Sequence, residues 1–362
     1  MKKKPSRPVT KIGIATSDWS GSMRDENFHP IMGGACWIRF GQLAPFVKNH
    51  FVFGRLVISN GMPHVQSLDG QLHADCSLLI MQRNMEEGVP DAISNAIASG
   101  RKIVNDVDDW FWGIHPNNNA AKAIDPKRNK KSNVDFYELS LQRSSLVTVS
   151  TSFLQQELEK RNCSTRLLKN HIAYNNFKPR VHRKGIPIIG WCGSTAHRSN
   201  DLPILTEPFS ELKKTKEKFF FHHTGSHDGA KSFASEVGLK EKDVTKLPLL
   251  APSEYPSGFC FDIGVVPLSD VDFNEAKSCI KGLEYAAAGV PFIASPSREY
   301  IELHDEYGVG RLASTPEEWV QHFLELSDFR VRTVEAARNR QLVIDHFGPQ
   351  VMARQWDELA WE

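Results

Sequence analysis

Short apolar runs alternate with amphipathic stretches along most of the chain. In the first half, residues 11–15, 51–58, 77–81, 102–106 and 146–149 form compact runs of strand length. Between them, 35–47, 91–99 and 153–160 carry the three-to-four-residue spacing of helices. The alternation restarts after Gly185, with strands predicted at 186–191, 219–223, 261–266 and 291–294. Helices are predicted at 203–213, 229–237, 277–288 and 316–326. Strands alternating with helices predict parallel sheets covered on both faces. The polar stretch 178–185 separates two such series, so two Rossmann-like lobes are expected. The last third is rich in helix, and 347–361 has the pattern of a helix that packs back on the first lobe.

A length of 362 residues suits two domains, and 40% apolar with 24% charged residues is ordinary for a globular protein. Disordered, collagen-like and disulfide-scaffold classes are excluded. Six scattered cysteines (36, 76, 163, 192, 260 and 279) contain no C-x-x-C pair. They predict reduced thiols of a cytoplasmic protein, not a zinc site. No apolar run has the length of a signal peptide core or a membrane span, which predicts a soluble chain. The net charge of +1 hides an asymmetry. Residues 1–184 hold 26 Lys and Arg against 16 Asp and Glu; residues 185–362 hold 18 against 27. A basic half suits an anionic partner, with scattered solvated charge as the plainer alternative.

The segment 273–291, Phe-Asn-Glu-Ala-Lys-Ser-Cys-Ile-Lys-Gly-Leu-Glu-Tyr-Ala-Ala-Ala-Gly-Val-Pro, is the most informative. It follows the predicted strand 261–266 and reads as a loop, a helix and a tight turn into the next strand. Lys277, Lys281 and Glu284 fall at i, i+4 and i+7, on one helix face. Lys277 and Ser278 are predicted in the first turn, where free backbone N–H groups favour an anion. A lysine there opposes the helix dipole, which suits a bound phosphate. Glu284, beside the small residues 286–289, suits the hydroxyls of a ribose. An amphipathic helix with a solvated Lys/Glu face is the alternative.

This segment resembles the donor-binding signature of retaining GT-B glycosyltransferases of family 4. The likeness extends to Ile189-Gly-Trp-Cys-Gly-Ser-Thr-Ala-His197 with Asp201, similar to the opening of that family's second lobe. It also reaches Val147-Thr-Val-Ser-Thr-Ser-Phe-Leu154 and, more weakly, Asn105–Trp110 and the Gly33-Gly34…Arg39 loop. One position departs: the family's first glutamate would fall at 276, which is alanine, with Glu275 beside it and Asn274 or Lys277 as substitutes. The resemblance implies a GT-B fold, two Rossmann-like lobes facing each other across a cleft, with the C-terminal helix returning to the first lobe. The acceptor lobe would be 1–184 plus 347–362, and the donor lobe 185–346. It implies transfer of a sugar from a UDP- or GDP-sugar to an acceptor hydroxyl, retaining and metal-independent. Gly34, Arg39, Gly193, Ser194, Lys277, Ser278, Lys281 and Glu284 would hold the donor, and His197 would contact or cap it. No permanently bound cofactor is expected.

Asp108, Asp109 and His115 follow a predicted first-lobe strand and are the candidates for orienting the acceptor hydroxyl or taking its proton. Asp106, Asp108 and Asp109 also resemble the Asp-x-Asp metal site of the other major glycosyltransferase fold, which ranks second. Basic clusters at Lys2–Lys4 with Arg7, at Lys122, Lys127, Arg128, Lys130 and Lys131, and at Arg180, Arg183 and Lys184 fit an anionic acceptor. Hydroxymethylated phage DNA is one such acceptor, its base flipped into the site. Glycan, lipid or protein acceptors, a GT-B sugar-nucleotide epimerase and a non-catalytic nucleic-acid-binding protein are the alternatives.

Overall fold

The computed structural model describes residues 9–116, 118–197 and 200–362, apart from the side chains of Asn119 and His197. The basic cluster at Lys2–Lys4 and Arg7 lies outside the described residues. The chain divides into two compact units. The first holds residues 9–112, 120–170 and 349–362; the second holds 113–119 and 171–348.

The first unit contains β1 (Lys11–Thr16), β2 (Trp19–Arg24), β3 (Pro30–Met32), α1 (Gly34–Arg39), β4 (His50–Ser59), β5 (Met62–Gln66) and β6 (Leu72–His73). They are followed by β7 (Leu78–Gln82), α2 (Val89–Ala98), β8 (Lys102–Val107), α3 (Asn119–Ile124), α4 (Val134–Arg143), β9 (Leu146–Val149), α5 (Ser152–Glu159) and β10 (Thr165–Leu167). Its sheet runs β10-β9-β8-β7-β1-β4-β5-β6, parallel except for β5 and β6. The pleat explains why these strands are apolar throughout. Ile12, Ile14, Leu78 and Ile80 face a core with Phe40. Their neighbours Ala15, Leu79 and Met81 face the other way, against Val89, Ile93 and Ala96 of α2.

The second unit contains β11 (Ile188–Cys192), α6 (Thr206–Leu212), β12 (Phe220–Ser226), α7 (Phe233–Glu236), β13 (Val244–Pro248), β14 (Ile263–Val266), α8 (Asp272–Glu275) and α9 (Ile280–Ala287). It continues through β15 (Phe292–Ala294), α10 (Arg298–Tyr307), β16 (Arg311–Leu312), α11 (Pro316–Glu325) and α12 (Phe329–His346). The parallel sheet runs β13-β12-β11-β14-β15-β16. Residues 171–184 belong with it: Arg180 Nε donates to Asp262 Oδ1 at 3.0 Å and Arg180 N–H to the Ala288 carbonyl at 2.8 Å. The final helix, α13 (Pro349–Trp361), belongs to the first unit, where Met352, Trp356 and Leu359 join the core around Phe40.

Three predicted helices are shorter than the sequence suggests. The helix expected over 35–47 stops at Arg39, because Phe40 leaves helical geometry and a 3-10 turn at Gly41–Leu43 follows. That expected over 229–237 is the single turn of α7, started by the Ser232 side chain. The third, at 277–288, starts three residues late and bears on the site.

Candidate functional site

In an open parallel sheet, ligands gather at the carboxyl ends of the strands where the strand order reverses. In the second unit the chain runs outward from β11 to β12 and β13, then returns to β14 on the other side of β11. The reversal therefore lies between β11 and β14. These strands are in register only at Ile189–Ile263 and Gly190–Gly264. Both glycines are there for packing. A Cβ at Gly190 would lie 2.2 Å from the Phe261 ring, and one at Gly264 would lie 2.5 Å from the Tyr285 ring. With the ring of Tyr285 laid on the sheet, its hydroxyl enters the gap between the strands. It accepts the Cys192 N–H and donates to the Val265 carbonyl, both at 3.3 Å.

One helical turn before Tyr285, Lys281 Nζ donates to the Cys192 carbonyl at 2.6 Å and to the Tyr255 hydroxyl at 3.0 Å. The rings of Trp191, Tyr255 and Tyr285 stand 5.6 to 5.9 Å from the ammonium. Lys281 thus sits at the end of β11, holding the strand terminus as well as supplying charge there. Glu284 is only 6% exposed. Burial raises its carboxyl to about 7, with the nearby Lys281 charge opposing the rise. A carboxyl in that state gains from hydroxyl donors, which would replace the water it has lost.

The turn after β11 matches the predicted Gly193–Ser194 element. Gly193 has φ +144°, which side chains disfavour, and the chain passes tightly against Gly225, where a Cβ would lie 2.3 Å from the Gly193 carbonyl oxygen. His223 Nε2 is 2.9 Å from that oxygen, and His227 Nε2 is 2.8 Å from Ser194 Oγ. His197's side chain, expected on the donor, is outside the described residues.

Lys277 and Ser278 require a correction. Both precede α9, whose N-cap is Cys279, and follow the separate turn of α8, so neither lies in the first helical turn. The expected three-residue face reduces to Lys281 and Glu284. Lys277 Nζ lies 4.0 Å from the Phe273 ring centroid. Asn274, a candidate substitute for the absent first glutamate, is buried and donates to Asp201 Oδ1 at 2.7 Å and to the Ser269 carbonyl at 2.9 Å. It fastens the 269–274 loop.

In the first unit the strand order reverses between β1 and β7. Arg83, just after β7, adopts φ +60°, a conformation uncommon for a residue with a side chain. Its guanidinium grips Asp108 with Nε at 3.1 Å and Nη2 at 2.7 Å, reaches Asp109 at 2.7 Å, and has Asp18 at 3.7 Å. Burial pushes the Asp108 carboxyl up to about 6; Arg83 opposes this and Asp109 adds to it. Asp18 also accepts the Cys36 N–H at 2.9 Å, and Gly33 is needed beside it because a Cβ would lie 2.2 Å from its carboxylate. Gly34, expected near a phosphate, is exposed at the start of α1.

Arg39, expected on the diphosphate, is instead a core residue. Arg39 and Asp106 have fully buried side chains and form an ion pair at 2.7 Å. Arg39 Nη1 also donates to the Leu168 carbonyl at 2.6 Å and to Asn170 at 2.9 Å. The Asp-x-Asp alternative is divided in the same way, with Asp106 on Arg39 and Asp108 and Asp109 on Arg83. Among the described residues, no group of three or more His, Cys, Asp or Glu side chains is placed to hold a metal ion. His115 is exposed and groups with the second unit. No described helix is long and apolar enough to cross a membrane.

Sequence reasoning missed Arg83, Asp18, Tyr285, Tyr255 and His227. Position within two residues of the end of a predicted strand was the one available signal, and it applied only to Arg83.

No protein-family model matches the chain, and no curated protein matches it in sequence. Solved structures do match its fold. A glycosyltransferase from Rickettsia africae aligns with a TM-score of 0.65 at 11% identity, over 98% of both chains. HepE from Anabaena, solved with UDP-glucose, aligns at 0.62 and 14% identity, over 97% of this chain and 99% of that one. Sucrose-phosphate synthase from Thermosynechococcus elongatus aligns at 0.60 and 12% identity, over 97% and 98%. With each unit a Rossmann-like sheet and the likeness covering nearly the whole chain, the fold is that of the GT-B glycosyltransferases.

Proposed function

We propose that the protein is a glycosyltransferase that moves a sugar from a nucleotide-sugar donor to an acceptor hydroxyl. The observation that supports this reading is the Lys281 ammonium on the Cys192 carbonyl, at the strand end that leads into Gly193 and Ser194 beside the reversal of the sheet, with buried Glu284 one turn further along the same helix. A diphosphate at the Gly193–Ser194 turn would be neutralised by Lys281, with Lys277 and Ser278 in the adjoining loop. Glu284 would accept the ribose hydroxyls. Lysines and backbone N–H groups then stabilise the leaving diphosphate, which is the metal-independent route. Retention of stereochemistry follows from the family-4 resemblance. Asp108 and Asp109, oriented by Arg83, are the acceptor-side carboxylates, with His115 as the third candidate. HepE, a structural neighbour, was solved with UDP-glucose, which makes a UDP-sugar the first donor to try.

The acceptor is proposed to be anionic, with hydroxymethylated DNA as the leading candidate. Lys122, Lys127, Arg128, Lys130 and Lys131 are all exposed on one stretch of the first unit, and a phosphate backbone is the ligand such a stretch fits best. Calorimetry with UDP- and GDP-sugars, followed by transfer assays with and without hydroxymethylated DNA in EDTA, tests the reading. Binding and transfer lost in Lys281→Ala and Glu284→Ala support it. A requirement for added divalent cation, with activity surviving both substitutions, overturns the site. No binding of any nucleotide sugar overturns the function.

A further inference from the structure

His227 joins the ends of two neighbouring strands. It follows β12, yet its Nε2 is 2.8 Å from Ser194 Oγ after β11. Its Nδ1 is 3.0 Å from the Asp228 carbonyl oxygen, which only accepts, so Nδ1 carries a hydrogen. In the neutral ring Nε2 is then an acceptor, and the Ser194 hydroxyl must donate to it. Ser194 Oγ already accepts the Ala196 N–H at 3.3 Å. The one hydrogen of the hydroxyl is therefore turned inward, and from the Ser194 hydroxyl an anion at the turn meets only lone pairs.

Protonation reverses the relay. Nε2–H now donates to Ser194 Oγ, the hydroxyl hydrogen is released to donate outward, and a positive charge stands one bond behind it. Charge-assisted donation of this kind suits a phosphate oxygen. We propose that His227 is a positioning residue for the diphosphate, acting through Ser194, so that the diphosphate part of a nucleotide sugar binds with uptake of a proton. The inference rests on the donor reading of the Gly193–Ser194 turn.

Other groups around His227 set the background. On the strand that leads to it, His223 is held toward the neutral form by burial, with His227, Lys246 of β13 and Lys281 of α9 acting in the same direction and its hydrogen bond to Gly193 opposing them. Asp228 and Lys231 lie in the following turn, and Thr195 Oγ1 donates to the Lys231 carbonyl at 2.6 Å.

Calorimetry on the full chain between pH 6 and 8, in buffers of different ionisation enthalpy, tests this with UDP-glucose and uridine. UDP-glucose has no phosphate group that titrates in this range, and uridine has no phosphate. GDP-mannose and guanosine replace them if that is the nucleotide bound. The affinity for UDP-glucose relative to uridine should rise about threefold to tenfold from pH 8 to pH 6, with proton uptake for UDP-glucose exceeding that for uridine by the matching amount. In His227→Gln, whose amide donates to Ser194 at every pH, the ratio should be flat; in Ser194→Ala the slope should shrink. A wild-type ratio that is flat, or a slope that persists in His227→Gln, overturns the proposal while leaving the donor reading intact. Failure of the wild type to bind any nucleotide sugar overturns both.

Discussion

Arg39 and Arg83 are both arginines of the first unit, and their surroundings give them opposite tasks. Arg39 is spent on Asp106, and Thr148 Oγ1 completes that carboxylate with a donation at 2.7 Å. Removing one partner of such a pair leaves a buried charge, so Asp106→Ala should cost about 3–5 kcal/mol in urea unfolding. Arg83→Met should cost less stability and should shift the pH profile of transfer, because it removes the charge that opposes the rise of the Asp108 carboxyl. Glu284 carries a sign that can be worked out. Its carboxyl is raised in the folded state to about 7 from 4.5, so folding favours the protonated form. That contribution is full below pH 4.5 and is lost as pH rises through 7, a loss on the order of 3 kcal/mol. Glu284→Gln should therefore be more stable than wild type at pH 8, by about 1–3 kcal/mol, and equal to it near pH 4 in denaturant titrations. Uridine affinity should run the other way in the wild type, weakening as pH falls below 7, since ribose hydroxyls require the ionised carboxylate. Lys281 beside Glu284 was legible in the sequence, whereas the partners of Arg83 were not, because it meets residues 65 positions before and 25 positions after it.

Buried parallel strands are nearly continuous apolar runs, which is why β1, β7, β8, β9, β11 and β14 were legible as elements. Elements whose buried face contains polar groups were not. In α4 the buried positions include Ser140 beside Tyr137 and Leu141, which blurs the helical period. At α9 the sequence located the helix and misplaced its start, since the N-cap is Cys279, which makes no side-chain cap, and not the neighbouring Ser278. What the pattern could not convey is the part Tyr285 plays between β11 and β14. Tyr285→Phe removes both hydrogen bonds and leaves the ring in place. It should cost about 1–2 kcal/mol of stability, read by thermal unfolding, and weaken UDP-glucose binding several-fold as the end of β11 loosens.

At the scale of the molecule, the net charge of +1 conceals a basic stretch that is exposed and an acidic second half. If the acceptor is DNA, replacing Lys127, Arg128, Lys130 and Lys131 with Gln should flatten the dependence of log K on log salt by roughly 0.9 for each phosphate no longer neutralised. An unchanged slope would remove this stretch from acceptor binding. Donor affinity should be the same in that variant, since the charges are remote in sequence from the second unit's site.

The C-terminal helix has a consequence for the order of events at the ribosome. The second unit is complete in sequence at Gly348, but the first is not, because its core needs Met352, Trp356 and Leu359. Asp357 also accepts the backbone N–H groups of Lys48 and Asn49 at 2.9 Å, closing a segment synthesised some three hundred residues earlier. The part of the chain made first is thus the part finished last, and its apolar face around Phe40 and Leu43 must wait uncovered while the second unit emerges and folds. Chaperone demand during synthesis should fall on that face rather than on the second unit.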